Sequence, residues 1–143
     1  MTPVARTDIH SLYQIDPQWL KDSQSSRKEI HAALCEECRA RYPDPEDAVR
    51  VVDRVNPLTG EITRVDALWE SLVDHCARRA DYIASTTPLS TAIFRALLAN
   101  GNRPMSSEQL YQRIRKNSAD GILRVLNKGV DIEFVVPAEE AKV

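Results

Sequence analysis

Glycine is scarce in this chain, four in 143 residues. None of the four falls in a phosphate-cradling loop, a dinucleotide fingerprint or a nucleophile elbow. The acidic pairs Glu36-Glu37 and Glu139-Glu140 sit in polar surroundings and read as solvated surface, and His10 stands alone. No Ser or Cys has a base partner readable from the sequence, so the expectation is a protein that is not an enzyme and has no catalytic residues. Also missing are an apolar run of about 18 residues, the least a membrane span needs, and a positively charged leader followed by an apolar stretch. The expected compartment is therefore the cytoplasm, with no membrane association. Cysteine is limited to three, an odd number with two as Cys35-Glu36-Glu37-Cys38, which fits a reduced compartment with a metal or free thiols better than a disulfide framework.

The length suits one unit with two lobes, and is enough to bury a core without a staple. Patterning predicts a mostly α-helical protein: a helical lobe over residues 1–85 with a short β-hairpin, and a three-helix block with one strand over 86–143. Asp16-Pro17 and Asp44-Pro45 each look like a helix cap followed by proline at the first helical position, where its missing N–H costs nothing. The first introduces a segment anchored by Trp19 and Leu20. After a polar break at Ser23 to Ser26, a helix from about Arg27 to Tyr42 places Ile30, Leu34 and Cys38 on one stripe. Residues Ala48 to Val55 suit a helix, yet the turn-like Asn56-Pro57-Leu58-Thr59-Gly60 before Glu61 to Val65 suits a hairpin. The favoured combination is a helix passing into a short hairpin. A long connecting helix then runs from about Asp66 to Ser85, facing Leu68, Leu72, Cys76, Ala80 and Ile83 inward.

The segment from Thr87 to Val136 carries the clearest local signals. Thr87 can cap a helix with Pro88 at its first position, and Leu89, Ile93, Ala96 and Leu97 form its apolar stripe. Asn100-Gly101 ends it. Ser106 and Gln109 have capping-box spacing for a second helix, which buries Leu110, Tyr111 and Ile114 up to about Lys116. Ser118 can cap a third, Ala119 to Lys128, burying Ile122, Val125 and Leu126. Gly129 closes that helix before Val130, Ile132, Phe134 and Val136 alternate as a strand. From Pro88 to Lys128 seven basic residues face two acidic ones, a net charge of +5 in a chain whose total is −2. A solvated helix face would give the same count as a nucleic-acid-facing one.

Five of the six Cys and His residues fall into two clusters: His31, Cys35 and Cys38, and the pair His75-Cys76. Zinc prefers thiolate and imidazole donors in a tetrahedron, and two pairs from distant segments would clamp the lobe. Five candidates compete for four places. On a regular helix the adjacent His75 and Cys76 diverge by about 100°, whereas His31 with the three cysteines avoids that strain. Buried, metal-free cysteines would serve equally as small hydrophobes. Thiol redox chemistry is the weakest reading, because the Cys-x-x-Cys lies late in its predicted helix and Glu36 and Glu37 should raise the thiol pKa values.

On Cys35-Glu36-Glu37-Cys38, Asp74-His75-Cys76 and the run Ile93 to Pro104, the chain resembles a family of small, uncharacterised bacterial proteins that join a Cys-x-x-Cys helix to a later cysteine pair. That resemblance implies Cys35, Cys38, His75 and Cys76 as the metal set, with His75 where the family has cysteine. Through Leu97 to Gly101, Ser106 to Ile114 and Ile122 to Gly129, the C-terminal block separately resembles winged-helix domains. It departs from them in lacking a Gly/Asn turn between Val130 and Val136, so the wing is one strand or is borrowed from elsewhere. The functional expectation is a recognition protein binding DNA, with Arg124, Asn127 and Lys128 as base or phosphate contacts and Arg113, Arg115 and Lys116 on the backbone. The alternative is a structural or adaptor subunit of a larger protein or nucleoprotein assembly, in which Trp19 and Trp69 could serve as interface anchors, a core position being the favoured reading for each.

Overall fold

Short helices with identifiable ends account for most of the fold. The structure, a computed structural model, describes residues 8–22, 24–44, 52–128 and 135–138. Among these the chain is mostly α-helical with a few short strands. It divides into two units, one of residues 1–19 with 83–143 and one of residues 20–82.

In the 20–82 unit, α2 (Gln24–Ala33) packs against α4 (Ala67–Asp74), burying Ile30, Ala33 and Leu34 with Leu68 and Leu72. Asp66 caps α4, one carboxylate oxygen accepting from the Leu68 N–H at 2.8 Å, and its other oxygen pairs with buried Arg27 of α2. The stretch read as a polar break is helical from Gln24, and Ser26 is buried there because its hydroxyl donates to the Leu20 carbonyl at 2.9 Å.

The predicted continuous helix from Arg27 to Tyr42 is broken. At Leu34 the N–H turns to the His31 carbonyl at 3.1 Å, and Cys35 is extended with φ −71° and ψ 164°. The Cys35 N–H, which would continue the helix by bonding the His31 carbonyl, donates instead to Cys76 Sγ at 3.2 Å. A separate helix α3 (Glu36–Arg41) starts after it. The predicted helix from Asp66 to Ser85 likewise stops at Asp74: His75 leaves helical geometry at φ −122° and ψ −61°, and a 3-10 turn follows over Cys76–Arg78. Strands β2 (Val52–Val55) and β3 (Ile62–Val65) pair antiparallel about the Asn56 to Gly60 turn, with Val52 opposite Val65 and Val55 opposite Ile62. The hairpin is as expected. Of the helix read over Ala48 to Val55, residues Val52 to Val55 are strand β2 instead, because they pair across the turn with β3, and Ala48 to Val51 lie outside the described residues, as does Pro45 after the proposed cap Asp44.

In the other unit the C-terminal helices are α5 (Leu89–Ala99), α6 (Ser107–Ile114) and α7 (Ala119–Lys128). Thr87 does not cap α5. Its hydroxyl accepts from the Ala84 N–H at 2.9 Å, and Pro88 stands just outside the helix with its carbonyl accepting from Ala92. The capping box of α6 is complete: Gln109 N–H donates to Ser106 Oγ at 3.1 Å and Ser106 N–H to Gln109 Oε1 at 2.9 Å. That helix ends two residues earlier than predicted, because Arg115 turns left-handed at φ 61°. Ser118 caps α7 through the Gly121 N–H at 3.0 Å.

A three-stranded antiparallel sheet completes this unit, in the order β4 (Met105–Ser106), β1 (Leu12–Ile15), β5 (Val135–Pro137). The sequence reading assigns no element to 12–15, yet β1 is the central strand, with Tyr13 opposite both Met105 and Pro137. Asn102 fastens its end by accepting from the Ile15 N–H and donating to the Ile15 carbonyl, each at 2.8 Å. Residues 129–134, which include most of the predicted strand, lie outside the described residues. Tyr13, Ile15, Ile93, Leu97, Leu98, Leu110 and Ile122 form the core. Trp19 is half-buried and meets the Phe94 ring edge to face at 6.1 Å. A further short helix, α1 (Pro17–Asp22), starts as predicted with Asp16 accepting from the Gln18 N–H at 3.0 Å.

Candidate metal centre

The two helix breaks in the 20–82 unit produce the one concentration of soft donors in the described residues. Cys35 occupies the position just before α3 and Cys38 lies one turn inside it, so both sulfurs sit at the same helix start. His75 ends α4 and Cys76 opens the 3-10 turn. Because the backbone changes course between them, the divergence expected of adjacent side chains on a regular helix does not apply. The imidazole Nδ1 is 3.3 Å from Cys35 Sγ and 3.4 Å from Cys38 Sγ. All four donor atoms of Cys35, Cys38, His75 and Cys76 lie within 4.8 Å of one another. A zinc tetrahedron with arms of about 2.0–2.3 Å has edges of roughly 3.3–3.8 Å, so the set fits a metal ion after small inward movements. All three cysteines are free thiols.

His31 is not in the cluster. Its Nε2–H donates to the Tyr42 carbonyl at 2.6 Å, tying the end of α3 back to α2. Of the five candidates, the fold brings Cys35, Cys38, His75 and Cys76 together and uses His31 as a helix-end donor.

Electrostatics separates the three thiols. Burial pushes the Cys35 thiol up, but the Cys38 backbone N–H and the Cys76, Cys38 and His75 side chains together outweigh it and bring Cys35 from 9.0 down to about 7. Burial raises Cys38, with neighbouring Cys35 adding to it. Burial is also the main reason that Cys76 is pushed up to about 12. Against the expectation that Glu36 and Glu37 raise the thiols, Cys35 is lowered by the hydrogen bonds it meets at the start of α3, while Cys38 and Cys76 are raised, chiefly by burial. Glu37 is turned toward the other ligand pair, its Oε2 lying 3.1 Å from His75 Nε2. Sequence reasoning missed this contact, since only the broken helices bring the two residues together.

The residues expected at a nucleic-acid surface belong to α6, α7 and the turn between them. Arg124, Asn127 and Lys128 are exposed on α7, opposite buried Ile122 and Leu126. Asn127 Oδ1 accepts from the Tyr13 hydroxyl at 2.7 Å, which links α7 to the central strand. Arg113 and Arg115 are exposed, the latter with its guanidinium 5.9 Å from the Tyr111 ring centroid. Lys116 is partly buried and its ammonium donates to the Thr87 carbonyl, so it ties α6 to the start of α5. Asp120 is exposed in the first turn of α7. Among the described residues no helix is long and apolar enough to cross a membrane.

No protein-family model, curated protein or solved structure matches this chain.

Proposed function

We propose that this chain is a non-enzymatic recognition protein, with a structural zinc ion in the 20–82 unit and a DNA-binding surface on the unit that carries α5 to α7. Zinc is favoured by the donor set: three sulfurs and one imidazole fill a tetrahedron, and four protein ligands leave no open position for substrate. Cys35, Cys38, His75 and Cys76 would hold the ion, whose contribution is to cross-link two chain segments whose helices break there.

The observation that carries the DNA reading is the amphipathic division of α7. Ile122 and Leu126 are buried, while Arg124, Asn127 and Lys128 share the exposed side. A helix projecting cations and an amide from a packed block suits entry into a major groove, with Arg113 and Arg115 on the exposed surface beside it as the proposed backbone contacts. The pairing of β5 with β1 supports a winged-helix-like reading, since β1 supplies from the N-terminal segment the second strand that the sequence after α7 lacks. The exposed Asp120 in the first turn of α7 counts against this reading at that end, since its charge repels phosphate, so the proposed contact is one made by the C-terminal half of the helix.

The adaptor reading draws on a different observation. Leu58 is 94% exposed at the hairpin turn, with Ile62 and Val55 at 63% and 58% beside it, an apolar tip suited to a protein partner.

Electrophoretic mobility shift on mixed genomic fragments over a salt series tests the DNA reading. Replacing Arg124 and Lys128 by Ala should weaken binding across all fragments and reduce the log–log salt slope by about 2. Binding that is unchanged in this variant removes α7 as the surface. Absence of any shift at low salt removes the DNA reading and leaves the adaptor role, to be tested by substituting Leu58 with a charged residue in a co-purification from the native host.

A further inference from the structure

We propose that Glu37 is a positioning residue that fixes the tautomer of His75 and commits it to bind metal through Nδ1; this rests on the metal reading of the cluster. A neutral imidazole has one N–H and one lone pair, and which nitrogen keeps the proton is set by the partner each one meets. A carboxylate only accepts. The ring nitrogen facing it must therefore carry the hydrogen, and that nitrogen is Nε2, 3.1 Å from Glu37 Oε2. The lone pair is left on Nδ1, the atom that lies 3.3 and 3.4 Å from the Cys35 and Cys38 sulfurs. The two ring nitrogens thus face opposite partners, one an acceptor and one the ligand cluster.

The local fold explains why Glu37 can do this. It is one of the two residues between Cys35 and Cys38 on the first turn of α3, so the turn that presents both sulfurs also presents its carboxylate. His75 arrives from the end of α4, where the chain has left helical geometry and its ring can reach across. Without the hydrogen bond the ring could rotate or exchange tautomers, placing an N–H where a donor lone pair is needed. Groups that orient a ligating imidazole commonly cost 10- to 100-fold in metal affinity when removed. The Glu37 and His75 side chains are 67% and 46% exposed, and water can replace part of the contact, so the loss here belongs at the low end, about tenfold.

The test uses the full chain. Zinc affinity is measured by competition with a chromophoric chelator, and the His75 ring nitrogens are followed by nitrogen-15 NMR in the zinc-loaded protein. The expected spectrum shows metal on Nδ1 and a proton on Nε2. Glu37→Ala should weaken zinc binding about tenfold, and Glu37→Gln, whose amide oxygen still accepts, should recover most of the loss and keep the tautomer. Glu36→Ala removes the same charge from the same turn and should leave affinity unchanged. Metal on Nε2 in the wild type overturns the proposal even if a variant fails to fold. Equal affinity losses for Glu36→Ala and Glu37→Ala also overturn it, because charge alone would then be acting. A wild type that binds zinc with either result therefore judges Glu37 separately, whereas a wild type that takes up no zinc overturns the metal site itself and this role with it.

Discussion

Asp66 serves two helices at once, accepting from the Leu68 N–H to start α4 and facing Arg27 across to α2. Replacement by Ala removes both interactions and should cost about 3–5 kcal/mol in urea unfolding, from a lost cap and a broken, largely buried ion pair. Asp66→Asn keeps a capping oxygen and should cost less; equal losses would show that the cap adds nothing. The thiols make a second prediction at this scale. A thiol whose pKa falls on folding adds stability that is present above its unfolded value and fades as the pH drops through the folded one. Cys35, brought from 9.0 to about 7, therefore stabilises the metal-free fold at alkaline pH and loses that contribution as the pH falls through about 7. Cys76, raised to about 12, acts oppositely, favouring the fold below pH 9 and losing its contribution as the pH rises toward 12. In alkylation mapped by mass spectrometry, Cys35 of the metal-free protein should label first, its rate rising through pH 7, with Cys76 protected until unfolding. Equal labelling of all three would refute the separation, and a bound metal should suppress all of it.

What was legible in the sequence, at the scale of elements, was whatever is specified within a few residues. The capping box of α6, Ser118 before α7, Asp16-Pro17 before α1 and the Asn56 to Gly60 turn all act over one helical turn or one hairpin, and the structure contains each of them. The breaks at Cys35 and His75 were not legible. Neither carries proline or glycine, and the first depends on a hydrogen bond from the Cys35 N–H to Cys76 Sγ, a residue far away in the chain. The metal-like residues were recognisable by type, but their convergence followed from those breaks. Strand β1 was hidden for a related reason: its partners β4 and β5 come from the other end of the chain. Its anchor is testable. Asn102 holds both backbone groups of Ile15 from a left-handed conformation, φ 58°. Asn102→Ala loses two hydrogen bonds and keeps an unfavourable φ, for an expected loss of about 2–4 kcal/mol. Asn102→Gly relieves the backbone but not the bonds and should cost about half as much. Hydrogen exchange should show β1 opening first in both, and intact protection of Tyr13 and Ile15 would rule out the anchoring role.

Over the whole molecule, charge and chemistry are segregated. The +5 segment from Pro88 to Lys128 lies in the unit that carries α5 to α7, and the Cys/His cluster lies in the 20–82 unit. The units differ in what holds them. The first buries an extensive apolar set, including Ile15, Ile93, Leu97, Leu98, Leu110 and Ile122. Among the described residues of the 20–82 unit the large buried side chains are fewer, chiefly Ile30, Leu34, Leu68, Leu72 and Tyr82, and two other core positions there are Cys38 and Cys76. Small units with thin cores commonly depend on a metal or another cross-link. A metal held by groups from both α3 and the end of α4 would close the loop between them, and its binding free energy would add to folding. Removal by a high-affinity chelator should therefore cost hydrogen-exchange protection in α3 and the Cys76–Arg78 turn, and leave α5, α6 and α7 protected. The same measurement on Cys38→Ser should reproduce the pattern without chelator. Loss of protection in α5 to α7 to the same extent would mean that the metal supports the whole chain, and unchanged protection everywhere would mean that the four residues pack as ordinary core and hold no ion.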